Sequence, residues 1–434
     1  MKQVASFLTV MILTPVYGYA WQATSTAVDT QKNVKSFELI WKTIRDTHWD
    51  DELVGESWAN HRKELLPKIN AAKTNREARQ VMTELIGRLG QSHFGILPKQ
   101  SYDAISGKKG GNGNVGITAR IVNGEVVVTA VRPESAAAKA GVKPGWTVGK
   151  IRTRDLAKMI ERLSAEVRGP ERVETMAGLA LERMFSGADR SKVEVTLRNP
   201  ANETKTFELS CDVPKGRMFK FGHLPSMQVI DETKTLPGNI GYFRFNAFMD
   251  PVRIMPSYRQ AVRDKNHSNG LVIDLRGNIG GIAAMTMGMA SEFVGEQKTL
   301  GEMTMKGTSL KFVANPRANP ISAPVAVLVD ECSISSAEIF AGGLQDLGLA
   351  KIFGSRTAGL ALPSMVIRLP NGDGFQYAMA DYHSASGKSL EKDGVMPDIT
   401  VSLTKELLLA EGDPALNAAV DWIKQTKSHQ HDAK

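Results

Sequence analysis

The run Pro324–Val329 is apolar at every position and leads straight into a polar cluster, Asp330-Glu331-Cys332-Ser333-Ile334-Ser335-Ser336. A strand without a polar face has both faces buried, which is the condition of a parallel sheet covered by helices. Beyond the cluster, Ile339, Phe340, Leu344 and Leu347 recur at helical spacing. Leu271–Leu275 repeats the arrangement: a buried strand, the turn Arg276-Gly277-Asn278-Ile279-Gly280-Gly281, then a helix from about Ala283. Ile240–Phe245 with a helix over Val252–Val262, and the strand Lys351–Gly354, extend the series. Strands alternating with helices predict an α/β fold.

Two of the turns carry chemistry. Ser333, Ser335 and Ser336 stand at a strand-to-helix switch, where unpaired N–H groups and the helix dipole favour developing negative charge. A serine nucleophile suits that place; the alternative is that these serines only cap the helix. The glycines of the 276–281 turn fit neither the dinucleotide fingerprint nor the phosphate loop, since no Lys-Ser/Thr follows. Glycines leave N–H groups unshielded, so this turn suits close approach of a carbonyl oxygen, as an oxyanion hole requires.

The 434 residues are ample for several domains. A formal charge of +8 comes without a basic run or interleaved aromatics, so nucleic acid is not an expected partner. Lys2, the apolar Val4–Leu13 and the small residues around Gly18-Tyr19-Ala20 resemble a secretory signal peptide cut near Ala20. That predicts a periplasmic or secreted protein with no stable membrane anchor after cleavage. Only Cys211 and Cys332 are present, which excludes a disulfide scaffold and suggests two free thiols.

From about Thr30 to Leu97 the pattern is helical: Phe37, Ile40, Trp41 and Ile44 share a face, and Thr74 with Glu77 opens a second helix. Just past it lies Gln91-Ser92-His93-Phe94-Gly95, whose histidine is a capping residue or a base. Ser101–Gly113 reads as a linker, followed by strands Val115–Ile121 and Glu125–Val131 around the turn Asn123-Gly124. A charged helical stretch over about Asp155–Phe185 precedes a closing strand, Val193–Leu197. Ser364–Leu369 and Phe375–Ala380 pair across Asn371–Gly374, and a helix over about Pro414–Lys424 precedes a polar tail expected to fray.

The segment Pro133-Glu134-Ser135-Ala136-Ala137-Ala138-Lys139-Ala140-Gly141-Val142-Lys143-Pro144-Gly145 resembles a PDZ domain of the bacterial protease type. The resemblance implies a carboxylate-binding loop at Asn114, Val115, Gly116 and Ile117, with an adjacent strand edge for a peptide. Three further segments, "LVIDLRGNIGG", "VLVDECSISSAEIFAGGLQDLGLAKIFGSRTAG" and "EKDGVMPDI", resemble the C-terminal processing (tail-specific) serine peptidases. This implies an α/β, crotonase/ClpP-like catalytic core over 215–405. Before it come a signal peptide over 1–20, a helical segment over 21–100 and the PDZ-like module over 110–212; a C-terminal helix and tail over 406–434 follow.

Carried over by motif, the nucleophile is Ser335, and the oxyanion donors are the N–H of Ser336 and of Gly280 or Gly281. The lysine base of one branch falls on Leu360, in Arg356-Thr357-Ala358-Gly359-Leu360, so no lysine activates the serine. The tricorn-core branch of the superfamily offers a Ser/His/Ser/Glu tetrad instead. Gln91-Ser92-His93 and Glu391 are similar to its remaining members, making His93 the base, with Ser92 and Glu391 orienting it. His383 is the rival base. No metal-site spacing is present and no cofactor is implied. The expected activity is cleavage of polypeptides, bound in part by their C-termini. A non-catalytic binding protein or adaptor on the same fold, and an ester hydrolase, are the alternatives.

Overall fold

The computed structural model describes residues 29–99, 102, 113–167, 169–221 and 226–432; the expected leader and most of the linker lie outside the described residues. Three helices open it: Thr30–Thr47, Glu56–Ala71 and Asn75–Gly87. Asp29 caps the first by accepting from Lys32 N–H at 2.9 Å, and Thr74 caps the third by accepting from Glu77 N–H at 3.0 Å. The middle helix lies in the stretch expected to be helical but was not delimited there, having Pro67 within it and only Trp58, Leu65 and Ile69 buried. All three share a core with Leu369, Phe375 and Tyr377, so the helical segment packs onto the hairpin Ser364–Arg368/Gly374–Ala378. The short strand Gly95–Leu97 then pairs antiparallel with that hairpin, Gly95 opposite Gln376 and Leu97 opposite Gly374. This pairing carries residues 91–94 to the far end of the chain.

Next comes an antiparallel β module, with strands in the order Ile117–Val122, Glu125–Val131, Thr147–Ile151, Lys192–Arg198 and Thr204–Ser210. Its first turn is tight because Asn123 (φ 50°) and Gly124 (φ 78°) both adopt positive φ. The single charged helical stretch expected over 155–185 is two helices, Leu156–Glu166 and Pro170–Met184, broken at Gly169 (φ 90°).

The central sheet has six strands in the order Asp231–Leu236, Ile240–Phe245, Gly270–Asp274, Val325–Val329, Lys351–Gly354 and Ile399–Thr400. Only the first pair is antiparallel. Leu271, Ile273, Val325 and Val327 face a large core with the helices Pro251–Val262, Ala284–Ala290 and Ser336–Asp346. Val272, Ala326 and Leu328, one position out of phase, face Ala419 and Ile423 of the C-terminal helix. That helix runs Pro414–Asp432, so the segment expected to fray continues the helix. A further hairpin, Lys298–Met305 with Thr308–Ala314, is extended by Ala380–Ser384. Among the described residues no helix is long and apolar enough to cross a membrane.

Candidate active site

Parallel strands deliver the chain to a common edge, and the turns after Gly270–Asp274 and Val325–Val329 meet there. Ser333 anchors the second turn: its hydroxyl donates to Leu275 O at 2.8 Å and accepts from Asp330 N–H at 2.9 Å. Asp330 Oδ1 in turn accepts from Gly277 N–H at 2.8 Å, tying the two turns together. Arg276 grips Asp274 and reaches Asp413 at 2.7 Å, just ahead of the C-terminal helix. Burial opposes the charge on Asp274, yet Arg276 and Arg244 hold its carboxyl below the ordinary range.

Ser335 lies immediately before the Ser336–Asp346 helix with φ 61° and ψ −117°, a conformation that non-glycine residues rarely adopt. A strained strand-to-helix turn of this kind turns a serine hydroxyl away from the helix it starts. The glycine turn closes on it: a Cβ on Gly280 would stand 2.7 Å from Ser335 Cβ and 3.0 Å from its Oγ. Gly280 N–H is already donated to Asn278 Oδ1 at 3.0 Å, so of the two glycines expected as oxyanion donors this one is engaged within the turn. Ser336 Oγ donates to Gly281 O at 3.1 Å, holding that glycine beside the first N–H of the helix.

Glu338 was not singled out from the sequence. It is fully buried, and its carboxylate accepts from Ser335 N–H (2.8 Å), Thr357 Oγ (2.6 Å), Gly359 N–H (2.7 Å) and Leu360 N–H (3.0 Å). Burial pushes its carboxyl up to about 7 against these four donors. The Ser335-x-x-Glu338 spacing is the capping-box signature, which was the available signal.

His93 also has positive φ, 60°. Gln91 fixes the start of its turn: His48 Nδ1 accepts from Asp50 N–H at 3.0 Å, so His48 Nε2 donates to Gln91 Oε1 at 2.9 Å. Ser92 joins His93 to Glu391. Its Oγ is 2.6 Å from His93 Nδ1 and 2.8 Å from Glu391 Oε2, and its N–H donates to Glu391 Oε1 at 3.0 Å. Ala361 N–H supplies a third donor to Glu391, at 3.3 Å. Burial raises the Glu391 carboxyl above its ordinary value against those donors, and burial lowers the His93 imidazole to about 3, so the ring is neutral. With Glu391 ionised, Ser92 donates to it and must accept from His93. The proton then sits on Nδ1, and Nε2 keeps a lone pair.

Residues 359–361 therefore bridge two carboxylates, the buried Glu338 on the serine side and the partly buried Glu391 on the histidine side. Among the described residues, four buried side-chain polar atoms lack a hydrogen-bond partner: His93 Nε2, Ser335 Oγ, Arg132 Nε and Arg317 Nε. Two of the four are the atoms that a serine–histidine mechanism would use.

The other sequence candidates are placed differently. His383 is on the Ala380–Ser384 strand, side chain 44% exposed beside Asp381, whereas Ser335 is sealed. In the expected carboxylate-binding loop, Val115 N–H donates to Phe185 O at 3.1 Å and Gly116 N–H to Asn114 Oδ1 at 3.0 Å; Ile117 begins the first strand of the module. Those two donors are engaged within the chain, so the loop does not offer them to a peptide in this arrangement. Both cysteines are free and buried. Among the described residues no cluster of His, Cys, Asp and Glu could hold a metal ion.

Residues 239–401 match the model of peptidase family S41, and residues 30–87 match the tricorn protease C1 domain, stopping short of Ser92. The chain carries a peptidase family S41 domain. A carboxyl-terminal-processing protease of Picosynechococcus sp. is 25% identical over 403 residues, covering 89% of this chain and 88% of the relative. A chloroplastic carboxyl-terminal-processing peptidase of Arabidopsis thaliana is 24% identical, covering 85% and 68%. The solved photosystem II D1 C-terminal processing protease shares the fold at TM-score 0.58 and 22% identity, covering 88% of this chain and 96% of that one. The S41 domain makes this chain a serine-type peptidase, a hydrolase of the kind that acts on polypeptides. Leu360, at the position of the lysine base in the Lys-dependent branch, packs with Ile334, Leu179 and Ala358 and offers no proton acceptor.

Proposed function

We propose that this S41 peptidase cleaves polypeptides with Ser335 as nucleophile and His93 as base, oriented through Ser92 by Glu391. The observation that carries the reading is that Ser335 Oγ and His93 Nε2 are both buried and without a hydrogen-bond partner, with Nδ1 already committed to Ser92. As Ser335 Oγ attacks the scissile carbonyl, Nε2 takes its proton, and the imidazolium is stabilised through Ser92 by the Glu391 carboxylate. Gly281 N–H and Ser336 N–H receive the developing oxyanion, with Gly280 shaping the approach; one such donor is worth about 3 kcal/mol. The imidazolium then protonates the leaving amine, and water resolves the acyl-enzyme by the same path. Glu338 positions the nucleophile and takes no part in proton transfer.

On this reading the β module is a PDZ-like domain over 110–212 and the six-stranded sheet with its helices a crotonase/ClpP-like core over 215–405. The leader-like residues 1–20 support export to the periplasm or beyond.

Fluorophosphonate labelling with mass spectrometry tests the chemistry. An adduct on Ser335 that is absent from Ser335→Ala and from His93→Ala is the expected result. Labelling that persists in Ser335→Ala sinks the assignment; labelling retained only by His93→Ala removes His93 as base.

A further inference from the structure

The helix Pro170–Met184 occupies an unusual place. Strand Ile117–Val122 is the outermost of its sheet, and among the described residues its free edge pairs with no other strand. The helix fills the space between that strand and the Leu156–Glu166 helix, as Val173 and Ala177 pack with Leu163, Met159 and Ile121. Further along, Leu181 and Met184 join the module's core with Ile117 and Ala119. An extended peptide adding to this edge would need the same space.

The opposite side of the helix lies on the catalytic turns. Leu179 packs with Ile334 and Leu360. A Cβ on Gly178 would land on Cys332 Sγ, three residues before Ser335, and Thr175 O faces the same sulfur at 4.0 Å. Glu171 is 3.7 Å from Arg356, and Arg172 is near enough to bear on Glu391. Glu182 reaches Arg120 at 3.4 Å, and Arg120 holds Asp330 at 2.8 Å and Glu331 at 3.3 Å. Ser335, the residue after Ile334, is fully buried in this arrangement, so its hydroxyl is closed to a polypeptide.

We infer that the Pro170–Met184 helix is a built-in plug: it occupies the strand-edge groove of the β module and, by the same seating, closes the catalytic serine. The inference rests on the proposed role of Ser335. The helix is the element to move because it belongs to the β module and is held on the catalytic turns by one leucine, the Gly178–Cys332 contact and a few ion pairs. The sheet and both catalytic turns are fixed within the core. Release of the helix uncovers Ile334 and Leu360 beside the nucleophile and bares the edge of strand Ile117–Val122.

The test measures the rate of Ser335 phosphonylation by a small fluorophosphonate, alongside hydrogen exchange of residues 170–184. Leu179→Asp is expected to label at least about tenfold faster than wild type and to raise exchange across the helix, the shift that loss of one buried leucine contact implies. Gly178→Cys sets a second thiol against Cys332; oxidation with diamide is expected to stop labelling, and reduction to restore it. Exchange that rises in Leu179→Asp without faster labelling of a serine that wild type also labels overturns the plug. So does equal labelling of oxidised and reduced Gly178→Cys once the bond has formed. Raised helix exchange with no labelling of any variant instead sinks the nucleophile role of Ser335 and leaves the helix as the groove's occupant.

Discussion

Glu391→Gln separates orientation from simple packing. In wild type, Glu391 Oε1 accepts Ser92 N–H at 3.0 Å, while Oε2 accepts the Ser92 hydroxyl at 2.8 Å and Ala361 N–H at 3.3 Å. A glutamine must turn its NH2 toward one set. Facing Ser92 N–H would set two donors against each other at the shorter backbone contact, so the amide oxygen takes that place and the NH2 faces Ser92 Oγ. Ser92 then accepts from Gln and donates to His93 Nδ1, which moves the ring proton to Nε2. The base is lost without moving a heavy atom. A wrong-tautomer histidine in a serine triad costs about 10⁴-fold in kcat, or about 5 kcal/mol of transition-state stabilisation. Single-turnover cleavage of a peptide anilide measures the loss, and ¹⁵N shifts of His93 report the tautomer. The acid limb of the wild-type profile is expected to follow Glu391, whose burial-raised carboxyl must ionise, and to vanish in the variant. A variant rate within tenfold of wild type, with Nδ1 still protonated, would refute the reasoning.

Glu338→Gln sets an NH2 against at least one backbone N–H among its four donors, a loss of about 2–4 kcal/mol that urea unfolding should register together with slower phosphonylation of Ser335. His93 is neutral when folded (lowered to about 3) but takes a proton near 6.5 when unfolded, so its contribution to stability is present above pH 6.5 and is lost as pH falls toward 3. That loss approaches about 5 kcal/mol, and His93→Gln should flatten this part of the stability–pH curve. Arg276→Lys gives up the fork that holds Asp274 and Asp413, and a drop of about 2–4 kcal/mol in unfolding free energy is expected by denaturant titration.

The core strands were legible because strands buried on both faces must be apolar throughout, as Val325–Val329 is. Ser335, His93 and Glu391 are the candidates that motifs suggest; the Ser92–Glu391 contact depends on pairing Gly95–Leu97 with Gly374–Ala378, which local sequence does not encode. The Glu56–Ala71 helix escaped notice because Pro67 and a thin apolar stripe mask its period. The Lys298–Met305 strand did so because a bulge between Thr299 and Gly301 breaks its alternation. Gly169 and Pro170 in principle mark the break between the two helices of the β module. That the second of them packs between the strand and the first helix is a tertiary fact: it depends on Val173 and Ala177 meeting Ile121 and Leu163.

The strand pairing of Gly95 with Gln376 also has a bearing on synthesis. In the proposed mechanism base and nucleophile come from widely separated stretches, and the carboxylate that would set the base's tautomer follows later still, at Glu391. A growing chain therefore carries Ser335 for some time without a competent histidine, because the strand that docks residues 91–97 has not yet emerged. On that mechanism the growing chain is inert by topology alone, and competence arrives only once the segment through Glu391 is available to fold.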